Sequence, residues 1–267
     1  MKIIITSSLL ALCFSPVSWA AQSSTDPLAS VMWDFTRAKF IGETPYVFDD
    51  AVKVMAPAHA EDPTQVPIMV DASAFDGQIE RVVAWADLNP IHHIFSYYPH
   101  PEVTPKVSMR IKVQQATPVR AAVLTQDGVW HVGSTWVEAA GGGCTTPSLS
   151  TASPLWESAL GQIKARQFSG LNDSARYKLR VIHPMDTGLA DGIPEFFIEQ
   201  VQLRDSQQAT LARMDLSQPV SENPVFTFDV KHLGQHHIWM RDNNGNEFSQ
   251  PLAQSHRQIN GEMKDVR

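Results

Sequence analysis

This 267-residue sequence predicts an all-β fold: two β-sandwich domains joined by a linker, with one short helix near the N-terminus. Three observations carry the prediction. Short runs of branched and aromatic residues alternate with polar ones at a period of two. Asp127-Gly128 and Asn244-Gly245 supply hairpin turns between such runs. Prolines at positions 57, 63, 67, 90, 99, 101, 105 and 118 cut the first half into pieces too short for long helices.

The elements follow in order. Lys2, an apolar run from Ile3 to Phe14, Pro16 and Ser18-Trp19-Ala20 have the pattern of a cleavable secretory leader over residues 1–20. Leu28, Val31, Met32, Phe35 and Phe40 keep helical spacing, with Asp26 as cap and Pro27 in the first turn. Period-two strands are expected at Ile79–Trp85, Val107–Val113, Val119–Thr125 and Val129–Val137. The second half repeats the style at Gln162–Phe168, Tyr177–His183, Phe197–Leu203, Thr210–Leu216, Val225–Val230 and His236–Arg241. Residues 141–154 are Gly, Ser, Thr and Pro with few large apolar groups, the composition of a linker. The expected organisation is a leader at 1–20, a first sandwich at 21–140, an arm and linker at 141–157, a second sandwich at 158–254 and a tail at 255–267.

Charge narrows the function. The formal net charge is −7, and loss of the leader removes one positive residue, Lys2, and no negative one. Such a balance argues against nucleic acid and anionic membranes as partners. No apolar run reaches the length of a transmembrane helix, so no membrane insertion is expected. Export in soluble form to a bacterial periplasm is the localisation the leader implies.

The chemistry points to one atom. Cys13 leaves with the leader, so Cys144 is the sole cysteine of the mature chain and has no internal disulfide partner. It follows Gly141, Gly142 and Gly143, whose backbones are unrestricted, and precedes Thr145-Thr146-Pro147. That setting places the thiol in solvent on a mobile arm, suited to carrying a reactive group between proteins. A small buried hydrophobe or an intermolecular disulfide are the plainer roles for such a residue. No Lys, Arg or His lies within several residues to activate the thiol, which favours a carrier over a cysteine enzyme.

Other chemistries find little support. The pairs His92-His93 and His236-His237 put neighbouring side chains on opposite strand faces, and no metal-ligand spacing is present. No G-x-S-x-G elbow or phosphate loop occurs. The tryptophans read as core anchors. No metal and no cofactor are expected.

The second half resembles the SoxZ family along nearly its whole length. The stretch Val181-Ile182-His183-Pro184-Met185-Asp186-Thr187-Gly188 carries most of the likeness. Ile193-Pro194-Glu195-Phe196-Phe197-Ile198, Val220-Ser221-Glu222-Asn223-Pro224 and Asp242-Asn243-Asn244-Gly245 follow in the family's order. The first half resembles SoxY through Ala60-Glu61-Asp62, Val66-Pro67-Ile68, Asn89-Pro90, Met109-Arg110-Ile111-Lys112-Val113 and Ala140-Gly141-Gly142-Gly143-Cys144. The whole is similar to fused SoxYZ-like carriers, including a group associated with quinoprotein dehydrogenases.

The resemblance implies two immunoglobulin-like β-sandwiches, SoxY-like then SoxZ-like, paired within one chain. It implies that Cys144 holds sulfur-containing intermediates covalently, with Gly141, Gly142 and Gly143 as its carrier arm. Periplasmic sulfur-processing or dehydrogenase-associated enzymes and cytochromes are the implied partners, and the chain itself turns nothing over. One departure stands out: a separate SoxY ends soon after its cysteine, whereas here a second domain follows. The arm is anchored at both ends, with a reach of roughly 30–35 Å on the Pro154 side and about 13 Å on the Ala140 side. The competing readings are a cysteine-dependent sulfurtransferase or oxidoreductase, and a non-catalytic β-sandwich interaction module.

Overall fold

The computed structural model describes residues 25–149, 156–170 and 172–252. The expected leader, the expected tail and the linker segment 150–155 lie outside the described residues. Helix α1 (Trp33–Phe40) precedes strands β1 (Tyr46–Phe48), β2 (Lys53–Met55), β3 (His59–Ala60), β4 (Val66–Asp71) and β5 (Ile79–Ala86). Strands β6 (His93–Pro99), β7 (Val103–Thr104), β8 (Lys106–Ile111), β9 (Thr117–Thr125) and β10 (Trp130–Ala139) complete the first half. The second half opens with the single turn α2 (Trp156–Ala159), then β11 (Ile163–Ser169), β12 (Ala175–Val181), β13 (Asp186–Thr187) and β14 (Glu195–Phe196). It ends with β15 (Ile198–Arg204), β16 (Thr210–Leu216), β17 (Val225–Val230), β18 (His236–Asp242) and β19 (Glu247–Leu252). No helix of the described residues is long and apolar enough to cross a membrane.

Each strand expected from alternation is present within two residues at either end. The two sandwiches, SoxY-like and SoxZ-like in the expectation above, are joined through a shared sheet. β6 of the first half pairs antiparallel with β16 of the second, from Phe95 opposite Leu216 to Pro99 opposite Ala212. This join makes one ten-stranded sheet, ordered β1-β10-β9-β5-β6-β16-β15-β18-β19 with β3 beside β10. Facing it are a three-stranded sheet, β2-β4-β8, and a four-stranded sheet, β11-β12-β17-β7. β7 comes from the first half yet pairs with β17 of the second, Val103 opposite Val230. A single apolar core runs between the layers and takes Val82, Phe95, Ile111, Leu179, Val201 and Phe226 from both halves.

The helix is shorter than the sequence suggests and buries another face. Val31 and Phe35 are exposed, while Trp33 and Thr36 are buried. The reason is a buried ionic anchor. Arg120 on β9 donates from Nε to Asp87 at 2.9 Å and from both terminal nitrogens to Asp26 at 2.8 Å. Trp33 covers that guanidinium at 4.6 Å. Asp26 therefore serves as an ion-pair partner and turn-former for Leu28 and Ser30, not as the helix cap. Burial would raise its carboxyl, but the Arg120 bonds and those two backbone amides outweigh it and hold the group below its usual range.

Candidate functional site

The site begins where β8 ends. Past Ile111 the chain continues extended through Lys112, Val113 and Gln114, and their backbone is pinned by Asn89. The Asn89 amide donates to the Lys112 carbonyl at 2.9 Å and accepts from the Gln114 N–H at 2.8 Å. The glycine arm lies along this rail. Gly142 N–H donates to the Gln114 carbonyl at 3.0 Å, Gly143 N–H to the Val113 carbonyl at 3.2 Å, and Cys144 N–H to the Gln114 side chain at 3.1 Å.

The other wall comes from the second half, through the segment that carried the SoxZ resemblance. Thr187 donates from its hydroxyl to the Cys144 carbonyl at 2.6 Å. Asp186 accepts the Ser148 N–H at 3.0 Å, and Glu222 accepts both the Ser148 hydroxyl and the Leu149 N–H at 2.6 Å. Met185, with φ of 54°, turns its carbonyl onto the Lys112 ammonium at 2.7 Å.

Cys144 is therefore not in solvent: its exposure is 0%. Its Sγ lies 3.7 Å from the Lys112 carbonyl, a weak S–H donor contact. The expectation of a mobile, exposed thiol fails for this state of the protein. The glycines explain why. Gly141 and Gly142 have φ of 107° and 85°, which side chains rarely adopt. At Gly143 a Cβ would sit 2.1 Å from the Pro63 carbonyl oxygen and 2.5 Å from that of Val113. The triple glycine lets the arm lie flat in a crevice; conformational freedom was the wrong inference from the same residues.

The electrostatics follow from burial. Desolvation pushes the Cys144 thiol up to about 12, against a smaller downward pull from Lys112. Lys112 is itself buried, which lowers its pKa, while Asp186, Cys144 and Glu222 draw it back up. A cation does stand near the thiol, supplied from 32 residues earlier and invisible to a search of the flanking sequence. Its effect is too small to form thiolate. As docked, the sulfur is a protonated, shielded group with negligible nucleophilicity.

Thr145, Thr146 and Pro147 are exposed, so among the described residues the arm forms part of the outer surface. Crevices flank it on both sides. One of about 280 Å³ is lined by Lys112, Thr146, Ser148 and Glu222; another of about 530 Å³ is lined by Asn89, Gln114, Thr145 and Leu189. Sequence reasoning placed Gly141, Gly142, Gly143 and Cys144 together and missed Asn89, Lys112, Gln114, Asp186 and Thr187. The run from Val181 to Gly188, which carried the SoxZ resemblance, was the available signal for Asp186 and Thr187; Asn89 and Lys112 lay in segments that carried the SoxY resemblance, and nothing in the sequence marked Gln114.

Two family profiles match the chain, one in each half. A profile described as "Sulfur oxidation protein SoxY" matches residues 37–144, ending on the buried cysteine. A profile described as "Sulphur oxidation protein SoxZ" matches residues 163–253. No curated protein matches the chain. Among solved structures, the sulfur carrier protein SoxY from Chlorobium limicola f thiosulfatophilum is 21% identical, with a TM-score of 0.36. That match covers 40% of this chain and 96% of the other. With the two domains in tandem over most of its length, joined at the thiol crevice, the chain belongs to the fused SoxYZ-like carriers of sulfur oxidation.

Proposed function

We propose that this protein carries sulfur-containing intermediates as covalent adducts of Cys144 and stores the unloaded thiol in the crevice between its two halves. The observation that carries the reading is the convergence of both halves on one residue. Gln114 and the Val113 backbone hold the arm from one side, Thr187 and Asp186 from the other. A periplasmic address, expected from the leader, gives burial a purpose, because a free thiol there is open to oxidation and mispairing.

Loading requires the arm to leave its crevice. Each docking hydrogen bond contributes about 1 kcal/mol net, so the undocked arm is a minor population, on the order of a per cent or less. In solvent the thiol recovers an ordinary pKa and becomes reactive. With thiosulfate, the Cys144 sulfur bonds to the terminal sulfur of the anion. One proton leaves the thiol, and two electrons pass to an external acceptor such as a partner cytochrome. Partner enzymes then process the bound group, and the carrier has no turnover of its own. A cysteine enzyme would instead need a base at the thiol, and Lys112 is committed to the Met185 carbonyl.

Intact-mass measurement tests the proposal. The parent chain and Cys144→Ser are incubated with thiosulfate or sulfide, a cytochrome-type electron acceptor and periplasmic partner extract. A single adduct on the parent and none on the variant is the expected result. No adduct under any loading condition, or an equal adduct on both chains, overturns it.

A further inference from the structure

The outward face of the β11-β12 sheet presents an unusual charge arrangement. Lys164 stands directly opposite Arg180, and Arg166 directly opposite Lys178. All four are exposed, and none makes an ion pair or side-chain hydrogen bond among the described residues. Like charges directly opposed across a strand pair destabilise a sheet. The acids on this layer are already engaged: Asp229 by Arg176 at 2.6 Å, and Asp71 by Lys106 at 2.7 Å. A solvated face in a chain of net charge −7 would ordinarily intersperse the two signs. Here the scarce cations are stacked together at a cost in stability.

Two further features mark the face. A groove of about 600 Å³ runs beside the block between β8 and β17, lined by Met55, Met69, Met109, Arg110, Lys178 and Val225. Arg110 is exposed and without an ion pair among the described residues, so it extends the positive surface across the groove. Two strands of this layer also lead toward the thiol crevice: β8 ends at Ile111, next to Lys112, and β12 ends at Val181, upstream of Met185.

We propose that this face docks a partner protein through an acidic surface patch. Complementary charge would relieve the opposed pairs Lys164–Arg180 and Arg166–Lys178, and the methionine-lined groove would take an apolar side chain from the patch rim. The acidic remainder of the molecule repels an anionic membrane, whose charge extends past this face on every side, so an acidic patch of limited size is the fitting occupant. The proposal does not depend on what Cys144 carries.

The test uses the full chain and a poly-glutamate peptide as probe, with vesicles of anionic phosphatidylglycerol as the competing surface. At low salt (about 0.05 M) the parent and Cys144→Ser are expected to bind poly-glutamate equally, with affinity falling steeply as salt rises. Replacing Lys164, Arg166, Lys178 and Arg180 together with Gln is expected to weaken binding on the order of tenfold or more. The same variant should melt no lower than the parent, because the substitutions relieve repulsion. Loss of poly-glutamate binding on Gln replacement of Lys39, Arg204, Arg213 and Arg241 instead would overturn the assignment of the face. So would absence of binding by the parent, tighter binding to the vesicles than to the peptide, or a lower melting temperature for the β11-β12 variant.

Discussion

The hydroxyl of Thr187 donates a 2.6 Å hydrogen bond to the carbonyl oxygen of Cys144, joining residues 43 positions apart and from different halves of the chain. Both groups are buried, so neither has water as an alternative partner. Thr187→Val removes the donor, keeps the shape and strands the Cys144 carbonyl. The expected loss is about 1–2 kcal/mol from arm docking, equivalent to roughly fivefold to thirtyfold faster alkylation of Cys144. Timed iodoacetamide labelling followed by mass measurement checks it. An unchanged rate would mean that this bond does not hold the arm.

Gly143 and Gly142 should respond differently to alanine. At Gly143 the new Cβ meets two backbone carbonyls at 2.1 and 2.5 Å, which cannot yield as a side chain could. At Gly142 nothing lies within 4 Å, and only the φ of 85° is strained. Gly143→Ala is expected to expel the arm and leave Cys144 labelling at nearly the unfolded rate. Gly142→Ala should cost about 1 kcal/mol and accelerate labelling only severalfold. Circular dichroism should be parental for both, because the sheets do not depend on the arm.

Docking should weaken at high pH. The thiol pKa rises from an ordinary 9.0 to about 12 in the crevice, so the docked state favours the protonated form. Its contribution is fully present below pH 9 and is lost as pH rises toward 12, by up to about 1.4 kcal/mol per unit. Hydrogen exchange at Gly142 and Gly143, corrected for intrinsic rates, should accelerate over that interval in the parent. Cys144→Ser should lack the acceleration, and equal behaviour of the two chains would refute the account of burial.

The Arg120 anchor makes a prediction about stability alone. Arg120 is fully buried between Asp87 and Asp26. Arg120→Met leaves two carboxylates without their cation and should cost about 3–5 kcal/mol, visible as a large drop in melting temperature. The anchor packs with Trp33 and Trp85 against the outer face of the large sheet, and Asp87 also lines the crevice of Asn89, Gln114 and Thr145, so the melting temperature is the readout of this prediction.

How far the sequence could be read depended on whether a strand has one wet face. β12, with Arg176, Lys178 and Arg180 outward, and β17 were legible because their alternation is clean. β6 was not. Ile94 and Phe95 are adjacent and both buried, since the strand lies at the centre of the large sheet, so its period is lost. That strand makes the join between the halves, so the way the two sandwiches share a sheet was not legible in the sequence. β4 was hidden by Pro67, which is tolerated because β2 reaches only Met69 to Asp71 and leaves that side of Pro67 unpaired. The thiol site was half legible for a related reason. Gly141 to Cys144 are contiguous, whereas the crevice is built from Asn89, Lys112 and Thr187, which only the folded sheets bring together.

The most direct test of a stored thiol is the alkylation rate of Cys144 in the folded parent chain as reagent concentration is raised. If the arm must open before the sulfur can react, the rate starts far below that of the unfolded chain and then levels off at the opening rate. A rate that matches the unfolded chain and climbs in proportion to reagent without limit would contradict the account.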